Sequence, residues 1–282
     1  MVCVFYFPEA SIKTVKISGN PAIALDYDGN GPLVVFLHGI GGNRTNWADQ
    51  IKSLSPYYRA AAWDARGYGA SDDYSHELSF EDFCHDLARL LDYFETDQAH
   101  LCGLSMGGQI VQHFYRLYPQ RVASMVLAAT FTHWRAVLSD EALAHYLSLR
   151  ETPLVTEGKS PAEMAPAAAK TILGPLATPR QREIVEKSMA ALHKESFLKT
   201  LRAATAFELE LALESVTIPT MLIFSEFDNL CPADYGRSMA SRIPRSRFEY
   251  VEGAGHLINI EKSKQFDTLL LDFLSGLDSE TE

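Results

Sequence analysis

The sequence predicts an α/β protein with a mostly parallel, eight-stranded sheet, helices on both of its faces and an inserted helical cap. Three observations carry this. Short apolar runs alternate with helix-like patterns along most of the chain, and strands alternating with helices of about 10–15 residues imply right-handed crossovers between parallel strands. Several of the apolar runs end in glycine-containing loops, where strand ends would lie. Residues 132–210 break the alternation with no convincing strand pattern.

Taken in order, "KTVKIS" (13–18) and "AIALDY" (22–27) read as half-buried strands joined by the turn chemistry of "GNP". "LVVFLHG" (33–39) is a continuous apolar run ending in a glycine-rich loop, the form of a strand buried on both faces. "YRAAAWD" (58–64), "AHLCGLS" (99–105), "ASMVLAAT" (123–130), "TMLIFSE" (220–226) and "RFEYVEG" (247–253) repeat that form. Helical patterns occupy about 79–95, 106–118, 232–242 and 260–276. The stretch 132–210 is rich in Ala, Leu, Glu and Lys and is punctuated by "PLVTEGKSPAEMAP" and "LGPLATPR", so it reads as about four short helices between two core strands. A purely structural helical layer would have the same composition. Its origin on the side of the strand C-termini favours a cap over the site, giving a core of 1–131 and 211–282 and a cap of 132–210.

A chain of 282 residues buries a large core without staples. The net charge of −11 argues against nucleic acid or an anionic membrane as partner, since both require clustered Lys and Arg. Cys3, Cys84, Cys102 and Cys231 form no CxxC pair and have no zinc-ligand spacing, the usage of a reducing compartment. The opening "MVCVFYFP" is too short for a signal h-region and has no basic flank, no run approaches a membrane span of about 18 apolar residues, and "LDSETE" reads as a frayed acidic end. The expectation is a cytoplasmic protein acting on a small molecule with no metal or organic cofactor, a homo-oligomer being left open.

Gly103-Leu104-Ser105-Met106-Gly107 matches G-x-S-x-G, and Gly108 extends the run of small residues. A strand that reverses sharply into a helix needs small residues where backbones nearly touch, and it leaves the central residue exposed at the tip. The helix N-terminus adds partial positive charge where an oxyanion would form. A serine nucleophile needs a base, and the base needs an orienting acid. Among nine histidines, His256 in "EGAGHLINIEK" lies in a glycine-flanked loop between a strand and the terminal helix and is the expected base. His38 ends a strand and reads as a loop brace, His113 reads as packed, and His133 begins the inserted segment where it could line a pocket. Asp228 in "LIFSEFDNLCP" lies just past a strand end as the candidate acid, with Glu226 its competitor two residues earlier. Asp64 in "WDARGYGASDD" fits loop bracing, with Arg66 as its partner. "FLHGIGGNRTNW" supplies a loop able to aim a backbone N–H at an oxyanion, so the two donors are expected from Ile40 and Met106. No GKS/T follows and G-x-G-x-x-G spacing is absent, which disfavours a nucleotide site.

With "HGIGG", "DARGYGASD", "GLSMGG", the Asp228 turn and "GAGH" in this order, the sequence resembles the α/β-hydrolase superfamily over nearly its whole length. Within it the chain is most similar to bacterial enol-lactonase, carboxylesterase and non-haem-haloperoxidase-like proteins. The resemblance implies the α/β-hydrolase fold and the triad order Ser105, Asp228, His256. Some relatives carry the acid after the strand that follows the serine helix, but here that place reads "AATFT", with no carboxylate. Ser225 stands before the acid turn where relatives often have Gly. A serine nucleophile disfavours dehalogenase and epoxide hydrolase chemistry, and Leu104 before it disfavours the carbon–carbon bond hydrolases.

The resulting expectation is hydrolysis of a carboxylic ester or (enol-)lactone through an acyl-enzyme, with carbon–carbon or amide hydrolysis and a cofactor-free oxygenase, lyase or perhydrolase as alternatives. Trp47, Phe131, Trp134 and Met164 are candidate lining residues, while Asn46, His133 and Arg135 are candidates to orient a polar group. A carboxylate-bearing lactone or amide ester would suit Arg135.

Overall fold

The computed structural model describes residues 11–209 and 211–278, so Cys3, the opening segment and residues 279–282 of the acidic tail lie outside it. The strands are β1 (Lys13–Ile17), β2 (Ile23–Asp28), β3 (Leu33–Leu37), β4 (Arg59–Trp63), β5 (Ala99–Leu104), β6 (Val122–Ala128), β7 (Thr220–Ser225) and β8 (Ser246–Val251). They form one sheet in the order β1-β2-β4-β3-β5-β6-β7-β8. The pairs β1–β2 and β2–β4 are antiparallel, and every pair from β4 to β8 is parallel. This is the α/β-hydrolase fold that the sequence predicts. The central strands β3 and β7 are buried at every residue, whereas the edge strands β1 and β8 are largely accessible, as their mixed sequences require. Register sets Leu37 opposite Gly103 and Gly103 opposite Leu127, bringing the C-terminal ends of β3, β5 and β6 level.

The helices are α1 (Ala48–Leu54), α2 (Phe80–Tyr93), α3 (Met106–Leu117), α4 (Asp140–Val155), α5 (Pro161–Ile172), α6 (Pro179–Ala190), α7 (Lys194–Ala206), α8 (Ala233–Arg242), α9 (Ile258–Glu261) and α10 (Ser263–Asp278). Phe36 of β3 stacks on Trp47 at 4.9 Å, and Trp47 meets Phe266 of α10 at 6.0 Å, so α1 and α10 cover the same face. α3 packs against α2 and against β5 and β6. Helices α4–α7 fill the strandless stretch between β6 and β7. Three of its breaks behave as helix starts, with Ser139, Ser160 and Thr178 as N-caps and Pro161 and Pro179 in the first turns. Pro153 and Pro166 instead lie inside α4 and α5.

The sequence reading missed α1, whose start is set by a short 3₁₀ turn over Arg44–Trp47 capped by Asn43. The helix expected over 260–276 divides into α9 and α10 at Lys262, which leaves the helical region, and Glu261 turns its side chain inward onto backbone N–H groups.

Buried charge braces the loops at the strand ends. Asp64 pairs with Arg44, which also reaches Asp26 at 2.9 Å, so the partner expected for Asp64 is corrected from Arg66 to Arg44. Arg66 instead grips Asp86 through two bonds of 2.6 and 2.9 Å, the planar fork fitting a carboxylate. His38 is fully enclosed: its Nδ1–H donates to the Gly39 carbonyl at 2.9 Å and its Nε2 accepts the Ala65 N–H at 3.1 Å. Both bonds require the neutral ring, which is the loop brace read from sequence. His113 packs between Phe80 and Phe207, with neither ring nitrogen bonded among the described residues.

Burial holds both imidazoles below their usual pKa of 6.5. Below about pH 6.5 the unfolded chain therefore binds protons that these two folded rings refuse. Stability is then lost as pH falls toward the folded values, with a slope of up to ~1.4 kcal/mol per pH unit for each ring. Urea unfolding at pH 7.5 and 5.5 should show this decline, and His113→Leu should flatten part of it. An unchanged slope in the variant would mean that the folded ring titrates normally.

Candidate active site

Ser105 occupies the single residue between β5 and α3, at φ 56° and ψ −118°. Only close backbone packing permits so sharp a reversal. A Cβ on Gly103 would lie 2.3 Å from the Gly107 carbonyl carbon, one on Gly107 2.1 Å from the Leu37 carbonyl oxygen, and one on Gly108 2.6 Å from Thr130 Cγ2. The strained residue is pinned by its neighbours, since its N–H donates to Ala128 O at 2.9 Å and its carbonyl accepts from Thr130 Oγ1 at 2.7 Å. Met106 is the first residue of α3, where backbone N–H groups have no partner within the helix.

Downstream of β8, the His256 N–H donates to Ile172 O of α5 at 2.9 Å. Its Nδ1–H donates to Asp228 Oδ2 at 2.8 Å, leaving Nε2 as the other ring nitrogen. The second oxygen of Asp228 accepts the Leu230 and Cys231 N–H groups at 2.8 and 3.0 Å, so the buried carboxylate is held as an acceptor on both sides. Glu226 is exposed and accepts the Gly253 N–H at 2.9 Å, away from the imidazole's partner.

Ser105 and His256 line one cavity together with the His38–Gly42 loop, including Ile40. A Cβ on Gly39 would lie 3.0 Å from Ser105 Cβ, so the loop passes directly beside the serine. The opposite wall comes from the inserted helices through Leu154, Met164, Met189, Leu192 and Phe197. Of the residues expected to contact substrate, Asn46, Trp47 and Met164 line this cavity. The Asn46 carboxamide oxygen is already engaged by the Asn43 N–H and the Ser188 hydroxyl, both at 3.0 Å.

Phe131, His133, Trp134 and Arg135 do not line it, and those four expectations are corrected. Phe131 and Trp134 pack edge to face at 4.9 Å, and Trp134 leans on Tyr146 at 4.3 Å, all three buried in the main core. His133 Nδ1 bonds the Thr132 hydroxyl at 3.0 Å, while Arg135 is exposed and paired with Asp140 and Glu208. The sequence reading missed Arg150, Met189 and Phe197. The sole local signal was Tyr146-x-x-x-Arg150, which puts ring and guanidinium on one side of a helix.

Two further features bear on chemistry. The side-chain donor atoms of Asp228, Cys231 and His256 lie within 4.8 Å of one another. Asp228 and His256 are engaged with each other, however, and burial pushes the Cys231 thiol well up, which opposes the thiolate that a metal would need. Glu261, raised in pKa by burial, binds the inserted helices to the base loop. One of its oxygens accepts the N–H of Gly174, just after α5, at 2.8 Å and that of Gly255 at 3.0 Å, and the other accepts Leu257 N–H at 3.2 Å.

A family model described as the alpha/beta hydrolase fold matches residues 32–263. The chain is 26% identical to 3-oxoadipate enol-lactonase 1 of Acinetobacter baylyi, over 88% of this chain and 90% of that one. It is 26% identical to a 2-hydroxy-6-oxononadienedioate/2-hydroxy-6-oxononatrienedioate hydrolase of Cupriavidus pinatubonensis, over 86% of each chain. A thermophilic esterase from Thermogutta terrifontis superposes with a TM-score of 0.83, over 94% of this chain and 99% of that one at 24% identity.

Trp134→Ala should remove roughly 3–5 kcal/mol of stability in urea unfolding, as for other large core aromatics. A variant as stable as the wild type would put the indole back among the pocket candidates.

Proposed function

The chain belongs to the alpha/beta hydrolase fold family and is a hydrolase, and from that premise we propose that it is a serine hydrolase cleaving a carboxylic ester or (enol-)lactone of a small molecule through an acyl-enzyme. The observation that carries this is the His256–Asp228 bond of 2.8 Å behind a cavity that His256 shares with the strained Ser105. Ser105 Oγ attacks the carbonyl carbon as His256 Nε2 takes its proton. The imidazolium gives that proton to the departing oxygen, and the acyl group stays on Ser105. Water, deprotonated by the same nitrogen, then attacks the acyl carbon and releases the acid and the free serine. Asp228 stays ionised and holds Nδ1–H, so the ring presents Nε2 throughout. The Ile40 and Met106 N–H groups receive the oxyanion, and losing one such donor in comparable sites costs about 3–4 kcal/mol. No step calls for a metal or an organic cofactor.

Residues 132–210 act as the cap that chooses the substrate, because the apolar wall facing Ser105 comes from them. Leu104, buried and directly before the serine, offers no polar group there, which favours an ester over the carbon–carbon alternative. The unpaired, buried thiols of Cys84, Cys102 and Cys231 support a reducing, cytoplasmic setting. No helix among the described residues is long and apolar enough to cross a membrane.

Ser105→Ala should abolish turnover of 4-nitrophenyl acetate and prevent labelling by a serine-directed phosphonate, with the melting temperature nearly unchanged. Retained turnover would sink the acyl-enzyme reading. For the acid, Asp228→Asn should lower kcat by as much as ~10⁴, the loss seen when the same change sets the wrong imidazole tautomer in a protease triad. Glu226→Gln should do far less, and the reverse ranking would transfer the role to Glu226.

A further inference from the structure

Arg150 stands apart from the other residues that line the cavity. It comes from α4, in the insertion, and faces the space shared with Ser105 and His256. The lining holds no Asp, Glu or Lys, so among the described residues this guanidinium is the only permanently charged group on the wall. Most of the surrounding wall is apolar, supplied by side chains such as Leu154, Met164, Leu192 and Phe197. The Arg150 Cζ sits 3.5 Å from the centre of the Tyr146 ring, and one N–H donates to the Tyr146 carbonyl at 3.1 Å. It forms no ion pair with a carboxylate among the described residues, and its chain neighbour Glu151 is taken by Arg202 at 2.8 Å. Arg150 is half-buried, and partial loss of water lowers its pKa from the usual 12.5. A desolvated cation costs free energy unless an anion compensates it. The stacked ring and the carbonyl bond hold the guanidinium in place, so its remaining N–H groups are ordered before a ligand arrives.

We propose that Arg150 is the specificity residue for a carboxylate on the substrate, which makes the preferred substrate an ester or lactone bearing a second, free carboxylate separated from the scissile carbonyl by an apolar segment. A single guanidinium in an apolar wall matches a singly charged, planar carboxylate. A phosphate dianion calls for a second cation, and the lining holds no Lys and no other Arg. The site expected at Arg135 is thereby reassigned: Arg135 is neutralised by two surface carboxylates, whereas Arg150 has none.

The inference rests on the ester-hydrolase reading, and its test separates the two. The substrates are mono-4-nitrophenyl glutarate and its methyl ester, which differ only in the free carboxylate. The wild type should prefer the acid in kcat/KM, and Arg150→Gln should lower the acid-to-methyl-ester ratio roughly 10–100-fold, the size of one or two charge-assisted hydrogen bonds. Arg150→Lys should restore part of that ratio by keeping the charge. A ratio unchanged in Arg150→Gln, including a parallel loss of both activities with a lowered melting temperature, would reduce Arg150 to a strap for Tyr146 and overturn the proposal. If the wild type turns over neither ester, the ester reading fails, and glutarate binding by calorimetry decides the subsite alone. Binding to the wild type that is lost in Arg150→Gln upholds it, and absent or equal binding overturns it.

Discussion

Backbone packed on backbone at the C-terminal edge of the sheet is the constraint on which the rest of the molecule depends. The first turn of α3 lies so close to β5 and to the end of β3 that Gly103 and Gly107 have no room for a methyl group. That approach forces the positive φ of Ser105, and the bonds to Ala128 O and from Thr130 keep it there. The same contact brings the Gly39 loop alongside the serine, so Ser105 and that loop are placed by one packing event. Apolar area alone would tolerate a looser joint, because hydrophobic burial is not directional. The glycines convert burial into geometry.

The parts legible in the sequence were those written in short-range pattern. Alternating strands and helices, and the small residues around Ser105, reflect constraints that act within a few residues. Asp228 and His256 were legible because each follows a strand, and parallel strands bring their C-terminal ends together. The pocket wall was legible only in part, through Asn46, Trp47 and Met164. Phe131 and Trp134 follow β6 closely in sequence, yet the chain turns them into the core against Tyr146. Arg135 and Arg150 are chemically identical, and only the path of α4 decides that one meets acidic partners at the surface while the other faces the cavity. α1 was missed because its seven residues carry too short an apolar period to register. The split between α9 and α10 was missed because nothing in the local pattern marks Lys262 as leaving the helical region, nor Glu261 as reaching Gly174.

The buried charges divide into two kinds. Arg44 with Asp26 and Asp64, and Arg66 with Asp86, are neutralised within the protein and lock loops to strand ends. Such pairs add little net stability over apolar replacements, but breaking one leaves an uncompensated charge, so they enforce one loop arrangement. His38 performs the same service without charge, through one donor and one acceptor nitrogen. Arg150, half-buried and without a carboxylate partner among the described residues, is the second kind. Its partners within the chain are the Tyr146 ring and carbonyl.

The Glu261 clamp ties the inserted helices to the loop that carries His256. One carboxylate oxygen holds both Gly174, just beyond α5, and Gly255, next to the base, and the His256 N–H is itself bonded to Ile172 at the end of α5. Gln181 of α6 adds two bonds to the Ile260 and Glu261 carbonyls at 2.9 and 3.0 Å. An outward swing of α5 and α6 would pull on the imidazole's own peptide. The position of these helices and the placement of His256 therefore share a single mechanical coordinate. A force that parted α5 from the sheet would be felt at the His256 peptide through two short links, the Ile172 bond and the Glu261 carboxylate.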